Sequence, residues 1–98
     1  MILAGDVGGT KVALALVEHG RDGFRIERKE RFATEEFDGL LPVVQAFLSD
    51  TRGRPDRACL GVAAPVVDET VAMTNLDWEL DCARLARATG IPRVTLIN

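Results

Sequence analysis

Gly5-Asp6-Val7-Gly8-Gly9-Thr10-Lys11 lies between two apolar runs, and its reading decides the fold. The run before it, with the segment's own first residues, makes residues 2–7 short and apolar. The run after it, residues 11–17, is Lys-Val-Ala-Leu-Ala-Leu-Val. It is apolar at both alternating positions, the pattern of a central strand covered on both sides. Gly8-Gly9 between the runs is a hairpin signal, because glycine accepts the positive φ that a tight turn requires. The segment fits neither common phosphate motif. A P-loop needs Lys before Ser or Thr and a helix next, whereas here Lys11 follows Thr10. The spacing of a dinucleotide fingerprint fails as well. Two readings stay open on these residues alone. Consecutive N–H groups in such a turn can form an anion nest, with bare glycines letting phosphate oxygens approach. Thr10 could then donate its hydroxyl, Lys11 could neutralise charge, and Asp6 could face Mg²⁺ through water. The plainer reading is a Gly-Gly hairpin with an Asp at its mouth.

Working outward, a third strand is expected over about 24–32. Its charges, Arg25, Glu27, Arg28, Lys29, Glu30 and Arg31, mark it as an edge strand. His19 to Gly23 is the turn before it. A helix follows from about Asp38 to Ser49, with Leu40, Val44, Phe47 and Leu48 on one face and Asp38 as its cap. Ala58 to Ala64 reads as a buried strand stopped by Pro65. Thr70 to Thr74 reads as a short strand, paired with Val66-Val67 across Asp68-Glu69. A second helix spans about Asp81 to Thr89, ended by Gly90 and Pro92. Val94 to Asn98 is the last strand. The order β-β-β-α-β-(β)-α-β implies an α/β layer fold with a mixed sheet. Asn98 follows an apolar strand directly, where domains more often carry a polar tail or docked helix. The chain therefore reads as truncated at 98.

At 98 residues one domain is the default. Apolar residues make up 47% and charged residues 28%, ordinary for a globular domain. A net charge of −3 offers no basic face for nucleic acid. The longest aliphatic run, Val12 to Val17, falls far short of the ~20 residues of a membrane helix. The start has no basic region and reaches Asp6 early, unlike a signal peptide. Cys59 and Cys82 have no metal-ligand spacing and are read as reduced, packed thiols. These features favour the cytoplasm, with no nucleic-acid or membrane partner.

Asp6-Val7-Gly8-Gly9-Thr10-Lys11 resembles the first phosphate motif of the hexokinase–actin–Hsp70 superfamily, and more closely that of bacterial glucokinases. Three later stretches agree in order and spacing. Gly61 to Val66 resembles the family's strand and proline-containing turn. Val71 to Trp78 resembles its Met-Thr-Asn-x-x-Trp segment. Leu96-Ile97-Asn98 resembles the Ile-Asn that precedes its catalytic aspartate. Residues 63–66, Ala-Ala-Pro-Val, lack the Pro-Gly-Pro of the repressor/open-reading-frame/kinase relatives, which favours the proteobacterial-type branch. Lys11 stands where that branch often has Asn.

The resemblance implies an actin-like (ribonuclease H-like) lobe, three-layered when complete. Residues 1–98 would be the small N-terminal lobe of a two-lobed sugar kinase. It implies ATP-dependent phosphorylation of glucose, with ATP and Mg²⁺ as cofactors. Gly5, Asp6, Val7, Gly8, Gly9 and Thr10 would meet the nucleotide phosphates, with Asp6 near the metal through water. Asn98, and less directly Asn75, would meet the sugar. The catalytic base would follow Asn98, so no catalytic residue lies within the chain, which alone would be inactive. Partners would be glucose, ATP and the missing C-terminal lobe, and the full-length protein could form a homodimer. Kinases for N-acetylglucosamine or mannose remain alternatives. So does a non-catalytic assembly piece, because the apolar C-terminal strand invites pairing. A sugar-responsive repressor is disfavoured, since its helix-turn-helix would precede a loop that here begins at residue 5. Trp78 is expected to pack near the second helix. Asp77, Glu79 and Asp81 are expected to complement the helix dipole.

Overall fold

Alternation along the first two strands builds the centre of the molecule. The computed structural model describes residues 1–73 and 76–98. Strands β1 (Ile2–Val7), β2 (Lys11–Gly20) and β3 (Gly23–Ala33) form an antiparallel meander. A single 3₁₀ turn, Thr34–Glu36, leads to helix α1 (Leu40–Leu48). Strand β4 (Arg57–Val62), hairpin β5 (Thr70–Met73) and β6 (Trp78–Asp81), helix α2 (Cys82–Thr89) and strand β7 (Arg93–Ile97) complete the described chain. The main sheet runs β3-β2-β1-β4-β7, with β4 parallel to both β1 and β7. It is the mixed sheet expected, and β3 is its charged edge.

One face of this sheet carries the core. Leu3 and Val7, then Val12, Leu14 and Leu16, then Ala58, Leu60 and Val62, are buried with Leu96. The α1 side chains Leu40, Val43, Val44 and Phe47 close over them, joined by Cys82 and Leu85 of α2. The two helices touch each other and so share that face. Strand β2 is therefore covered on one side, not two: Ala13, Ala15 and Val17 are only half-buried. Alanines made both faces of the sequence look apolar, yet only the leucine face has volume to bury. Cys59 departs from expectation for the same reason. It lies level with Ala4 on the uncovered face and is exposed, whereas Cys82 is buried, and both are free thiols.

Local chemistry explains most element ends. Gly20 and Gly23 pair across Arg21-Asp22, and Gly23 takes φ +106° there. Helix α2 begins as expected at Asp81, whose carboxylate accepts from the Arg84 N–H at 3.1 Å. It ends at Gly90 in the left-handed region. Asp38 does not cap α1; the N-cap is Gly39, without a side-chain hydrogen bond. At the other end of α1, Arg28 donates to the Phe47 carbonyl at 2.6 Å and to Thr51 Oγ1 at 3.0 Å. Its guanidinium lies 4.2 Å from the Phe47 ring centre. Phe47 in turn meets Phe32 edge-on, and Phe32 meets Phe37.

Strand β6 is an element that the sequence expectation does not include. Trp78 and Leu80 are buried and Glu79 is exposed, a period of two, but four residues are too few for alternation to stand out. Strand β5 pairs with β6 over its length and meets Val67 only through a single bridge at Thr70. Asp68 and Glu69 carry that turn at φ 52° and 62°.

Candidate functional site

The glycines of the first turn divide into two kinds. Strand β1 ends at Val7, and the Gly8 N–H donates to the Lys11 carbonyl at 2.9 Å, closing the turn. Neither Gly8 nor Gly9 lies in the left-handed region, so the expected reason for glycine there does not hold. Space is the reason that remains. A Cβ on Gly8 would sit 3.3 Å from the Lys11 carbonyl oxygen, tighter than ordinary contact. A Cβ on Gly9 would meet nothing within 4 Å, so the main chain at Gly9 is open to an incoming group. Gly5 is different. It points at the helix-covered core, where a Cβ would fall 2.6 Å from Leu60 Cδ2 and 2.7 Å from Leu14 Cδ2. Val7 is fully buried on the same side. Neither residue offers a side chain to a ligand, and both lie in β1 between the paired strands β2 and β4.

Asp6 faces the other way. It lies in β1 level with Ala13 of β2 and Gly61 of β4, and is exposed. Small neighbours on both sides leave its carboxylate clear. Among the described residues no ion pair engages Asp6 or Lys11, and no group of three His, Cys, Asp or Glu side chains gathers to hold a metal. A lone exposed carboxylate fits a cation held mostly by its own waters and by a ligand's phosphates. Beside it a trough of about 510 Å³ runs over Ala4, Asp6, Ala13 and Ala15 to Lys29 and Arg31.

Thr34 belongs to none of the sequence motifs. It is the one buried polar residue among the described residues, at 4% exposure. Its Oγ1 donates to the Gly9 carbonyl at 3.0 Å, and its N–H donates to the Thr10 carbonyl at 3.0 Å. Its own carbonyl accepts from the Phe37 N–H at 3.1 Å. The available signal was a threonine just past the edge strand, flanked by Phe32 and Phe37.

Topology sets where the remaining expected residues lie. Strands β1, β4 and β7 are parallel, so their C-terminal ends share one edge. The Gly8–Thr10 turn leaves that edge from β1, and exposed Asn98 follows β7 two strands away, roughly 10 Å across the sheet. Ligands of open α/β sheets bind at such an edge. Asn75 lies outside the described residues. Trp78 is buried in β6 opposite Met73 and lines, with Ala72, Asp77 and Glu79, a cavity of about 250 Å³. Asp81 alone of the three expected carboxylates meets the helix start, since Glu79 is an exposed strand residue and Asp77 sits in a turn at φ 54°. Among the described residues no helix is long and apolar enough to cross a membrane.

Comparison with known proteins covers nearly the whole chain. The family model for glucokinase matches residues 3–98. The glucokinase of Nostoc punctiforme is 42% identical over 100 residues, spanning 100% of this chain and 29% of that protein. The glucokinase of Erwinia tasmaniensis is 33% identical over 96 residues, spanning 98% of this chain and 29% of that protein. The chain thus spans about 30% of the length of the curated relatives it matches. Among solved structures, a glucokinase from an Antarctic psychrotroph superposes with a TM-score of 0.90 at 32% identity, over 99% of this chain and 31% of that one. A ROK-family glucokinase from Streptomyces griseus, in complex with glucose and AMPPNP, shares the fold at a TM-score of 0.73 and 24% identity, over 99% of this chain and 32% of that one.

Proposed function

Because the chain belongs to the glucokinase family, we propose that the whole protein transfers the γ-phosphoryl group of ATP to the 6-hydroxyl of glucose. The observation that carries the reading is the open main chain at Gly9, set on the same sheet edge as Asn98. The Gly9 and Thr10 N–H groups, which no turn hydrogen bond among the described residues takes up, and the Thr10 hydroxyl bind phosphate oxygens, where fixed dipoles stabilise charge as it develops. Asp6 holds the waters of Mg²⁺, which when bound neutralises charge on the phosphates. Asn98 donates to and accepts from sugar hydroxyls, placing glucose across the edge from the turn. The base that takes the hydroxyl proton is a carboxylate beyond Asn98, in line with the family's Ile-Asn-Asp order. Asn75 is a second sugar contact in this reading, and the second lobe closes over both ligands to exclude water. The protein works in the cytoplasm, and a homodimer is its proposed assembly.

The test is a coupled assay for ADP. The whole protein should release ADP only when glucose and ATP are both present. The 98-residue chain should give no turnover above a blank, since a positioned base contributes ~10²–10⁴-fold by itself. Preference for N-acetylglucosamine or mannose over glucose in the same assay would overturn the substrate assignment. Turnover by the 98 residues alone would overturn the placement of the base.

A further inference from the structure

We propose that Thr34 is a positioning residue for the phosphate turn, aiming its N–H groups at the nucleotide from behind. The proposal rests on the phosphate-binding reading of that turn and adds a residue to it. Its starting point is the double grip on consecutive carbonyls: Thr34 Oγ1 holds Gly9 C=O and Thr34 N–H holds Thr10 C=O, each at 3.0 Å. The chain has no cis peptide among the described residues. In a planar trans peptide the C=O and the next N–H point in opposite directions. Holding Gly9 C=O toward Thr34 therefore turns the Thr10 N–H away from it. Holding Thr10 C=O does the same to the Lys11 N–H. The Thr10 N–H is the donor this grip aims, next to the open main chain at Gly9.

The grip is firm at its own end. Thr34 is buried, opens the 3₁₀ turn, and its carbonyl is taken by Phe37 N–H. Phe37 stacks edge-on against Phe32 at 5.7 Å, and Phe32 against Phe47 of α1 at 6.2 Å. No turn hydrogen bond among the described residues takes up the Gly9 or Thr10 N–H. Those donors are left for a ligand, and an unbraced Gly-Gly turn would lose entropy on ordering them. Thr34 lies behind the turn and acts only through Gly9 and Thr10.

The experiment uses the whole protein with Thr34→Val, which keeps the shape and removes the donor, and Thr34→Ser, which keeps the donor. Loss of one such bond should raise the KM for ATP by about fivefold, with the KM for glucose unchanged within about twofold. AMPPNP binding without glucose should weaken by the same factor. Thr34→Ser should restore both constants to within about twofold of the parent. If Thr34→Val does not fold, the same constants for Thr34→Ala against Thr34→Ser decide. Equal constants for the donor-keeping and donor-lacking variants overturn the proposal. So does a parallel rise in both KM values with a lowered melting temperature, the mark of a merely structural role. If the parent protein itself binds no AMPPNP, the phosphate-binding reading fails and takes the proposal with it. If the parent binds and the variants match it, the proposal alone fails.

Discussion

Alanine at position 5 and alanine at position 9 should fail in opposite ways, although both replace a glycine of the same short motif. At Gly5 the added Cβ falls 2.6 Å from Leu60 Cδ2, 2.7 Å from Leu14 Cδ2 and 3.3 Å from the Ala13 carbonyl oxygen. Carbon atoms rest about 3.5–4.0 Å apart, so each leucine end must retreat by roughly 1 Å. Neither has room, since both side chains are 1% exposed in the middle of the core. Overpacking of this kind costs about 1–3 kcal/mol. In a protein the length of its relatives, of which this chain spans about 30%, ~2 kcal/mol lowers Tm by at most roughly 4–8 °C. At Gly9 nothing lies within 4 Å and the backbone is outside the left-handed region, so alanine should change stability by less than about 0.5 kcal/mol. There the methyl group occupies the approach of a phosphate oxygen. Losing one hydrogen bond to a charged group costs about 1.5–3 kcal/mol, or roughly ten- to hundredfold in the KM for ATP. Thermal melting and the coupled assay on both variants of the whole protein measure the two effects. The reasoning is refuted if Gly5→Ala melts with the parent, or if Gly9→Ala keeps the parental KM for ATP.

Arg28→Ala should lower stability by about 2–3 kcal/mol, because it removes charge-assisted bonds to the α1 terminus at Phe47 and Thr51 together with the stack on Phe47. Arg28→Lys should recover only part of this in chemical denaturation, lacking the planar fork. In the 98-residue chain, Cys59 should react with a thiol reagent as an exposed thiol, and Cys82 only on unfolding. Burial is the largest influence on Cys82 and pushes its thiol above the ordinary range, with Glu69 and Asp81 adding to it. The folded state therefore keeps this proton longer than the unfolded chain. The thiol costs nothing below the ordinary thiol value and destabilises as pH rises above about 8.5. Denaturation at alkaline pH should show that decline, and Cys82→Ala should flatten it.

The order of elements along the chain apart from β6, both helices and the charged edge strand were legible because each rests on a local period or cap: Asp81 and Gly90 for α2, Leu40 to Phe47 for α1. What escaped was information about direction and space. Alternating Ala and Leu in β2 showed an apolar strand but not which face is covered, since alanine suits either. For the same reason Cys59 read as core. Gly5, Gly8 and Gly9 looked alike as letters in a motif. Only the neighbours of an absent Cβ show that Gly5 serves the core, Gly8 a close carbonyl, and Gly9 an opening. Four-residue β6 was too short to announce itself. Thr34 escaped because its partners, Gly9 and Thr10, stand 25 and 24 positions earlier, a separation that no local pattern spans.

That separation carries its own consequence for how such a site can be built. Where a phosphate loop opens a helix, the helix that follows aligns the N–H groups and adds its dipole. Here the turn is followed by strand β2, whose regular pairing begins only at Lys11. Nothing within the turn beyond the Gly8–Lys11 bond fixes the peptide planes. Orientation must then come from a third strand, and β3 supplies it where it leaves the sheet at Thr34. A meander delivers this with little loop-closure cost, because β3 already lies beside β2. The same arrangement ties the turn to α1 through Phe32, Phe37 and Phe47. A substitution in that aromatic cluster should therefore reach the turn through Thr34 while touching no ligand.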